Sequence, residues 1–506
     1  MAQLLLLGRR DSLPSSIAMA IESNPCDRPE TIVVIGNGMV GLRFCERLVE
    51  YDLDRRYRIV TFCEEPRAAY DRVGLTSFFA HRDAEKLMLA RREWYERVGI
   101  ELQLGHRACA IDRESRMVVS NRGIEIPYDR VVMATGSYPF VSPIPGIQKK
   151  GVFVHRTIED LQHIVEYAEN STTCAVIGGG ILGLEAAGAA YDLGLDTHII
   201  ELAPRLMPRQ IDDAGSRTLV NKIEELGVKV HLNCGTREVF GDGRVERIEF
   251  TSGEILDCEM IIVSAGIRPR NELAQECGLE LGDRGGIQVN GSLQTSDPDI
   301  FAIGECALHA GTVYGLVAPG WEMAEIVAAN LCGESRQFAG TDLSTKLKLM
   351  GVDFASFGDY ESKDQSVRSA VFDDPVNGNY RKLVFSSDGS RLKGGILIGN
   401  AEDSETLLRY VHSFESLPYS PEDLLAGASG GSTAAGVDAL PDSAEVCLDH
   451  NLSGEQVCAD ITGEVLESPA AVKQCTGARA GCRSQVRWLH GHGGGPVQCT
   501  DEESGA

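Results

Sequence analysis

No run in this chain approaches the roughly 18 consecutive apolar residues that a membrane-crossing helix requires. The first ten residues have only Leu4 to Leu7 as an apolar core, too short for a secretory signal. Positive charge is also scarce. The sequence holds 48 Lys+Arg against 74 Asp+Glu, a net charge of −26. A nucleic-acid partner is therefore excluded, because binding a phosphate backbone needs a basic surface. The same charge suits a soluble protein that docks on a basic redox partner. The pair C-x-x-C is absent. Of the 15 cysteines, ten lie at or before Cys332, several inside apolar runs (Cys45, Cys63, Cys174), and five crowd into 447–499. Scattered, buried thiols point to reduced cysteines and a cytoplasmic setting.

What is present begins with Thr31-Ile32-Val33-Val34-Ile35, a β-branched run that reads as a buried parallel strand. It enters Gly36-Asn37-Gly38-Met39-Val40-Gly41, the G-x-G-x-x-G spacing. Gly36 permits a sharp turn, Gly38 admits a pyrophosphate to the backbone, and Gly41 lets helix and strand pack closely. The helix that follows points its first amides at the phosphate and places Leu42, Cys45, Leu48 and Val49 at helical spacing. A second strand, Arg58 to Cys63, ends in Glu64, an acid able to accept hydrogen bonds from an adenosine ribose. The loop through Arg67 and Arg72 reads either as solvated or as a phosphate or flavin contact. Tyr128 to Met133 is another strand, leading into Ala134-Thr135-Gly136, small enough to pass beside a nucleotide.

The pattern then repeats. Thr173 to Ile177 is a strand, Gly178-Gly179-Gly180-Ile181-Leu182-Gly183 carries the same triplet, and the strand His198 to Ile200 ends in Glu201. Two nucleotide sites follow. Glu201 would repel a 2′-phosphate, which favours NADH over NADPH, although Arg205 lies close by. Ile261 to Gly266 mirrors the Ala-Thr-Gly passage. Thr295 to Glu305 gives a turn, a short strand and the pair Gly304-Glu305, suited to bonding a polyol chain. The first nucleotide unit is thus interrupted by the second. Alternation at 346–350, 381–385 and 395–398 predicts a small sheet with one wet face, followed by a helix over 403–414. Residues 419–440, with Gly430-Gly431-Ser432, read as a linker.

Residues 30–420 resemble the flavoprotein disulfide reductase superfamily, whose landmarks occur here in order: both glycine triplets, Ala134-Thr135-Gly136 and Gly304-Glu305. Three narrower stretches resemble the N-terminal part of the NAD(P)H-dependent nitrite reductase large subunit and the NADH:rubredoxin reductases. They are Ala69-Tyr70-Asp71-Arg72-Val73, Pro204 to Gln210 and Leu343 to Val352. The resemblance implies an α/β protein with two Rossmann-like domains, the NAD domain inserted in the FAD domain, plus a small α+β interface domain. Residues 30–146 and 265–335 would bind FAD, 147–264 NADH, and 336–418 would form the interface domain. A flexible extension over 1–29, a linker over 419–439 and a disordered tail over 486–506 complete the expected organisation.

Residues 440–485 resemble the small [2Fe–2S] module of those reductases, which needs four thiolates. Here Cys447-Leu448-Asp449 and Cys482-Arg483-Ser484-Gln485 replace two of the four ligands, so the cluster is expected to be absent or unstable. Cys447 and Cys482 are the remaining candidate ligands. No stretch resembles a sirohaem domain.

The resemblance assigns Gly36, Gly38, Met39, Gly41, Glu64 and Arg72 to FAD, with Thr135, Gly136, Gly304 and Glu305 along its ribityl side. The helix near Pro319-Gly320-Trp321 would aim amides at the ring. Gly178, Gly180, Ile181, Gly183, Glu201 and Gly266 would serve NADH. Glu185 reads either as a catalytic-site acid beside the nicotinamide or as an ordinary acid of a helix N-terminal turn. Thiol chemistry is disfavoured, because no cysteine lies between Cys63 and Cys109. The expected activity is hydride transfer from NADH to FAD and electron delivery to a separate protein acceptor. The alternatives are a free-standing NADH:rubredoxin or ferredoxin reductase, and a non-catalytic flavin-binding sensor or assembly partner.

Overall fold

The computed structural model describes residues 28–427 apart from positions 342, 363, 365, 414 and 415, together with the backbone of a hairpin at 445–447 and 452–453. Residues 1–27 of the expected extension over 1–29, the module at 440–485 and the tail at 486–506 lie outside the described residues, the hairpin backbone aside, as do the side chains of Cys447 and Cys482.

The chain first lays down β1 (Glu30–Ile35), α1 (Met39–Tyr51), β2 (Tyr57–Cys63), β3 (Glu101–Leu104) and β4 (Arg130–Met133). It then builds a second unit from β5 (Val152–Val154), α2 (Ile158–Ala168), β6 (Thr173–Ile177), α3 (Ile181–Asp192), β7 (Asp196–Ile200), α4 (Asp213–Glu225), β8 (Lys229–His231) and β9 (Met260–Val263). It returns to the first with β10 (Ile300–Ala302) and α5 (Val317–Leu331). The first parallel sheet runs β10-β4-β1-β2-β3 and the second β8-β7-β6-β9-β5. Registers repeat as well. Ile35 lies opposite Phe62 and Met133, and Ile177 opposite Ile200 and Val263. The central strands are buried on both faces, which is why they read as unbroken apolar runs.

A third sheet, antiparallel, comprises β11 (Thr345–Leu349), β12 (Val352–Gly358), β13 (Arg368–Asp374), β14 (Asn379–Phe385) and β15 (Leu392–Gly399) in the order β11-β12-β15-β14-β13. One face packs on the second unit, where Phe354, Tyr380, Ile396 and Ile398 join Leu219 and Ile223 of α4 in one core. The other face is covered by α6 (Ser404–His412) and α7 (Pro421–Ala426).

The elements differ from the sequence expectations in three places. Helix α5 begins at Val317, ahead of Pro319, because a proline in the first turn loses only an N–H that has no intrahelical partner. Trp321 therefore lies inside the helix rather than at its start. The stretch taken as a linker from 419 opens on α7. Its Ser420 and Asp423 form a reciprocal capping box, and Arg381 donates to the Leu424 carbonyl at 2.9 Å. Strands β12 and β13 were not anticipated, since Gly351 and the exposed Val371 and Phe372 obscure their alternation.

Candidate functional site

At the carboxyl ends of the two parallel sheets the glycine triplets adopt one geometry twice. Gly36 has φ +110° and Gly178 φ +118°, a region open to glycine at little cost. A Cβ on Gly36 would lie 2.2 Å from the Ala134 carbonyl oxygen, and one on Gly178 would lie 2.2 Å from that of Ser264. On Gly41 it would meet the Gly36 carbonyl oxygen at 2.0 Å, and on Gly183 the Gly178 oxygen at 2.0 Å. Gly38 and Gly180 are different: a Cβ on either meets no protein atom within 4 Å. The first and third glycines serve the fold, while the second faces open space at a helix N-terminus. That is the cradle a pyrophosphate requires, with the backbone of Met39 and Ile181 opening each helix.

Around the first cradle the polar groups are unevenly satisfied. Asn37 accepts from Tyr95 Oη at 3.0 Å, while its own Nδ2 is buried and finds no partner. Such a group is costly unless a ligand or water completes it. The residues present therefore fit a dinucleotide here.

Glu64 is already engaged: Arg270 donates to it from both Nη1 and Nη2. Thr135 Oγ1 donates to the Arg270 carbonyl at 2.7 Å, which fastens the Ala-Thr-Gly turn to the same residue. Gly136 has φ +68° and Gly266 φ +107°. Gly304, with φ +76°, closes on Val40 of α1.

Glu305 Oε2 accepts from Ser137 Oγ at 2.6 Å and Arg156 Nη2 at 2.6 Å. Arg72 pairs with Glu65 and donates to the Arg156 carbonyl at 3.0 Å. Arg72 is thus a structural clamp in this state rather than a solvated loop residue. Arg43 lies over the Trp321 ring, 5.9 Å from its centroid.

In the second unit Glu201 folds back on its own loop. Its Oε2 accepts from the Gly179 N–H at 2.6 Å and its Oε1 from the Ala203 N–H at 2.7 Å. Glu185, one turn into α3, is largely buried, and desolvation pushes its carboxyl up to about 7. Sequence reasoning did not find Arg156, Arg270 or Ser137. No motif announces them, because each acts through a partner far away in the chain.

The described cysteines are free. Cys63, at the end of β2, is pushed up to about 12 by burial, an inert thiol rather than a nucleophile. Among the described residues no group of three or more His, Cys, Asp or Glu could hold a metal ion. No helix among them is long and apolar enough to cross a membrane.

The pyridine nucleotide-disulphide oxidoreductase family matches residues 30–326. The chain belongs to that family. A second match, the rubredoxin NAD⁺ reductase C-terminal domain, covers residues 344–414 and so the antiparallel sheet and α6. The nitrite reductase [NAD(P)H] large subunit of Klebsiella oxytoca is 47% identical over 89% of this chain and 47% of its own length. The rubredoxin-NAD(+) reductase of Pseudomonas putida is 31% identical over 60% of this chain and 80% of its own. A ferredoxin reductase of Rhodopseudomonas palustris, known by crystal structure, superposes with a TM-score of 0.71. It is 25% identical over 79% of this chain and 98% of that one. The chain spans about half the length of the nitrite reductase large subunits it matches. As a member of the family, it carries the two-Rossmann fold of these reductases.

Proposed function

We propose that the protein is an FAD-dependent NADH oxidoreductase that passes electrons to a separate protein acceptor, as the NADH-oxidising part of a nitrite reductase-like system. The observation that carries this reading is the duplicated cradle, with Gly38 and Gly180 each left open where a pyrophosphate would lie. FAD on residues 30–146 and 265–335 and NADH on 147–264 follow from the order of the units. Residues 336–418 then act as an interface domain.

The chemistry such a cofactor supplies is hydride acceptance from a reduced nicotinamide followed by release of single electrons. The protein's task is to bind and orient. Gly36, Gly38, Gly41 and Met39 cradle the FAD pyrophosphate. Glu64, steadied by Arg270, faces the adenosine ribose. Thr135, Gly136, Gly304 and Glu305 border the ribityl chain, and Arg72 with Arg156 braces that wall. The N-terminal turns of α5, near Trp321, direct a positive dipole end at the ring. Gly178, Gly180, Gly183 and Ile181 hold the NADH pyrophosphate, Glu201 its ribose and Gly266 the passage beside it. Glu185 lies toward the nicotinamide. No cysteine takes part. Free, unreactive thiols also fit a cytoplasmic setting.

A closely related reading, a free-standing rubredoxin-type reductase, is favoured by the C-terminal domain match at 344–414. Either way the acceptor is a protein; no cluster at Cys447 and Cys482 is invoked. The test is steady-state reduction of rubredoxin and of ferricyanide by NADH with the FAD-reconstituted protein. Reduction of ferricyanide with one FAD per chain supports the reductase. Full FAD occupancy with neither acceptor reduced would refute it.

A further inference from the structure

The loop after Glu201 carries Arg205, the type of residue that accommodates a 2′-phosphate on the adenosine ribose. The structure commits this cation elsewhere. Its Nη1 donates to Asp213 Oδ1 at 2.9 Å, and its Nη2 to Glu361 Oε1 at 2.9 Å and to the Pro208 carbonyl at 3.1 Å. Asp213 opens α4. Glu361 comes from the turn after β12, in the unit that has no nucleotide fingerprint. Its neighbour Tyr360 donates to the Arg209 carbonyl, so the loop is fastened to the C-terminal unit at two points. Glu201 is folded back on the Gly179 and Ala203 amides.

Asp213 and Glu361 therefore both occupy the Arg205 guanidinium, while Glu201 caps the loop that carries it. A 2′-phosphate, carrying roughly 1.5 to 2 negative charges, finds this guanidinium already neutralised. The nearest cation in sequence cannot answer it without breaking two ion pairs.

The geometry points to Asp213 and Glu361 as the residues that set coenzyme choice: by holding Arg205 away from the ribose, they make the second cradle select NADH against its 2′-phosphorylated counterpart. This rests on the reading of the second cradle as the NADH site. Neither acid touches the nucleotide; both are positioning residues that act through Arg205. Arg205 also borders a cavity of about 550 Å³ together with Pro204, Asp213, Arg217 and Lys222. Asp213 and Glu361 are 73% and 47% exposed, and ion pairs this exposed contribute little to stability. Removing them should alter coenzyme choice without altering the fold.

Titration calorimetry of the FAD-loaded protein with NAD⁺ and NADP⁺ tests this on the wild type, Glu361→Gln, Asp213→Asn and the double variant. The expected result is unchanged NAD⁺ affinity throughout. NADP⁺ binds roughly tenfold more tightly to the double variant, the size of one added charge-assisted contact. Adding Arg205→Ala to the double variant abolishes that gain. KM for NADPH falls in parallel while kcat with NADH holds. If Asp213→Asn does not fold, Glu361→Gln alone must still tighten NADP⁺ measurably. Wild type that binds NAD⁺, paired with variants that bind NADP⁺ no better, overturns the proposal. Wild type that does not bind NAD⁺ overturns the NADH assignment and this proposal with it.

Discussion

Arg156 Nη2 reaches Glu305 Oε2 at 2.6 Å, so the residue that precedes the cap of α2 in the second unit is bonded to the residue that follows β10 in the first. Ser137 Oγ donates to the same oxygen at 2.6 Å. The wall assigned to the ribityl chain is thus built across the joint between the units. Arg156→Met leaves Glu305 half-buried without its cation, and a partly buried carboxylate that loses its partner is costly. The expected outcome is FAD affinity weakened by about tenfold or more, with NADH affinity less affected. Fluorescence titration of released flavin measures it.

Gly180 offers a separation of roles. With φ −82° and no protein atom within 4 Å of a Cβ, valine fits the folded chain there. It would also fill the space proposed for the NADH pyrophosphate. Gly180→Val should keep FAD and thermal stability while weakening NADH binding at least about tenfold. Gly183→Ala should behave in the opposite way. Its Cβ meets the Gly178 oxygen at 2.0 Å, so the second unit should be destabilised before any ligand is added. Calorimetry and thermal melts on both variants distinguish the two roles.

Glu185 makes stability depend on pH. Burial raises its carboxyl from 4.5 to about 7, so the folded chain holds this proton to higher pH than the unfolded chain does. Native stability therefore declines as pH rises from about 4.5 to about 7, and this contribution is flat above that. Glu185→Gln removes the decline. Melts of the ligand-free protein should show variant and wild type alike near pH 4. Above pH 7 the variant should be more stable by on the order of 2–3 kcal/mol.

The fingerprints are readable from sequence because their requirement is local. A positive φ at Gly36 and a closed contact at Gly41 each demand glycine, and the strands around them are apolar on both faces. The joint between the units is another matter. Arg156 pairs with a residue 149 positions away and Arg270 with one 206 positions away, and nothing in either local sequence marks them. Glu64 reads from the sequence as a ribose acid, yet its engagement by Arg270 depends on how the chain returns after the second unit. Helix α5 began earlier than expected because Pro319, read as a boundary, occupies the one helical turn that tolerates it. In the third sheet the exposed apolar residues of β13 concealed an edge strand from any alternation test.

The account stands or falls on hydride transfer between the two cradles. The most direct measurement is anaerobic rapid mixing of the FAD-reconstituted protein with NADH, following the visible absorption band of the oxidised flavin. The account predicts full bleaching by one equivalent of NADH in the wild type, and a strongly slowed, NADH-concentration-limited bleach in Gly180→Val. A wild-type protein that holds FAD and binds NADH, yet keeps its yellow band, would contradict it.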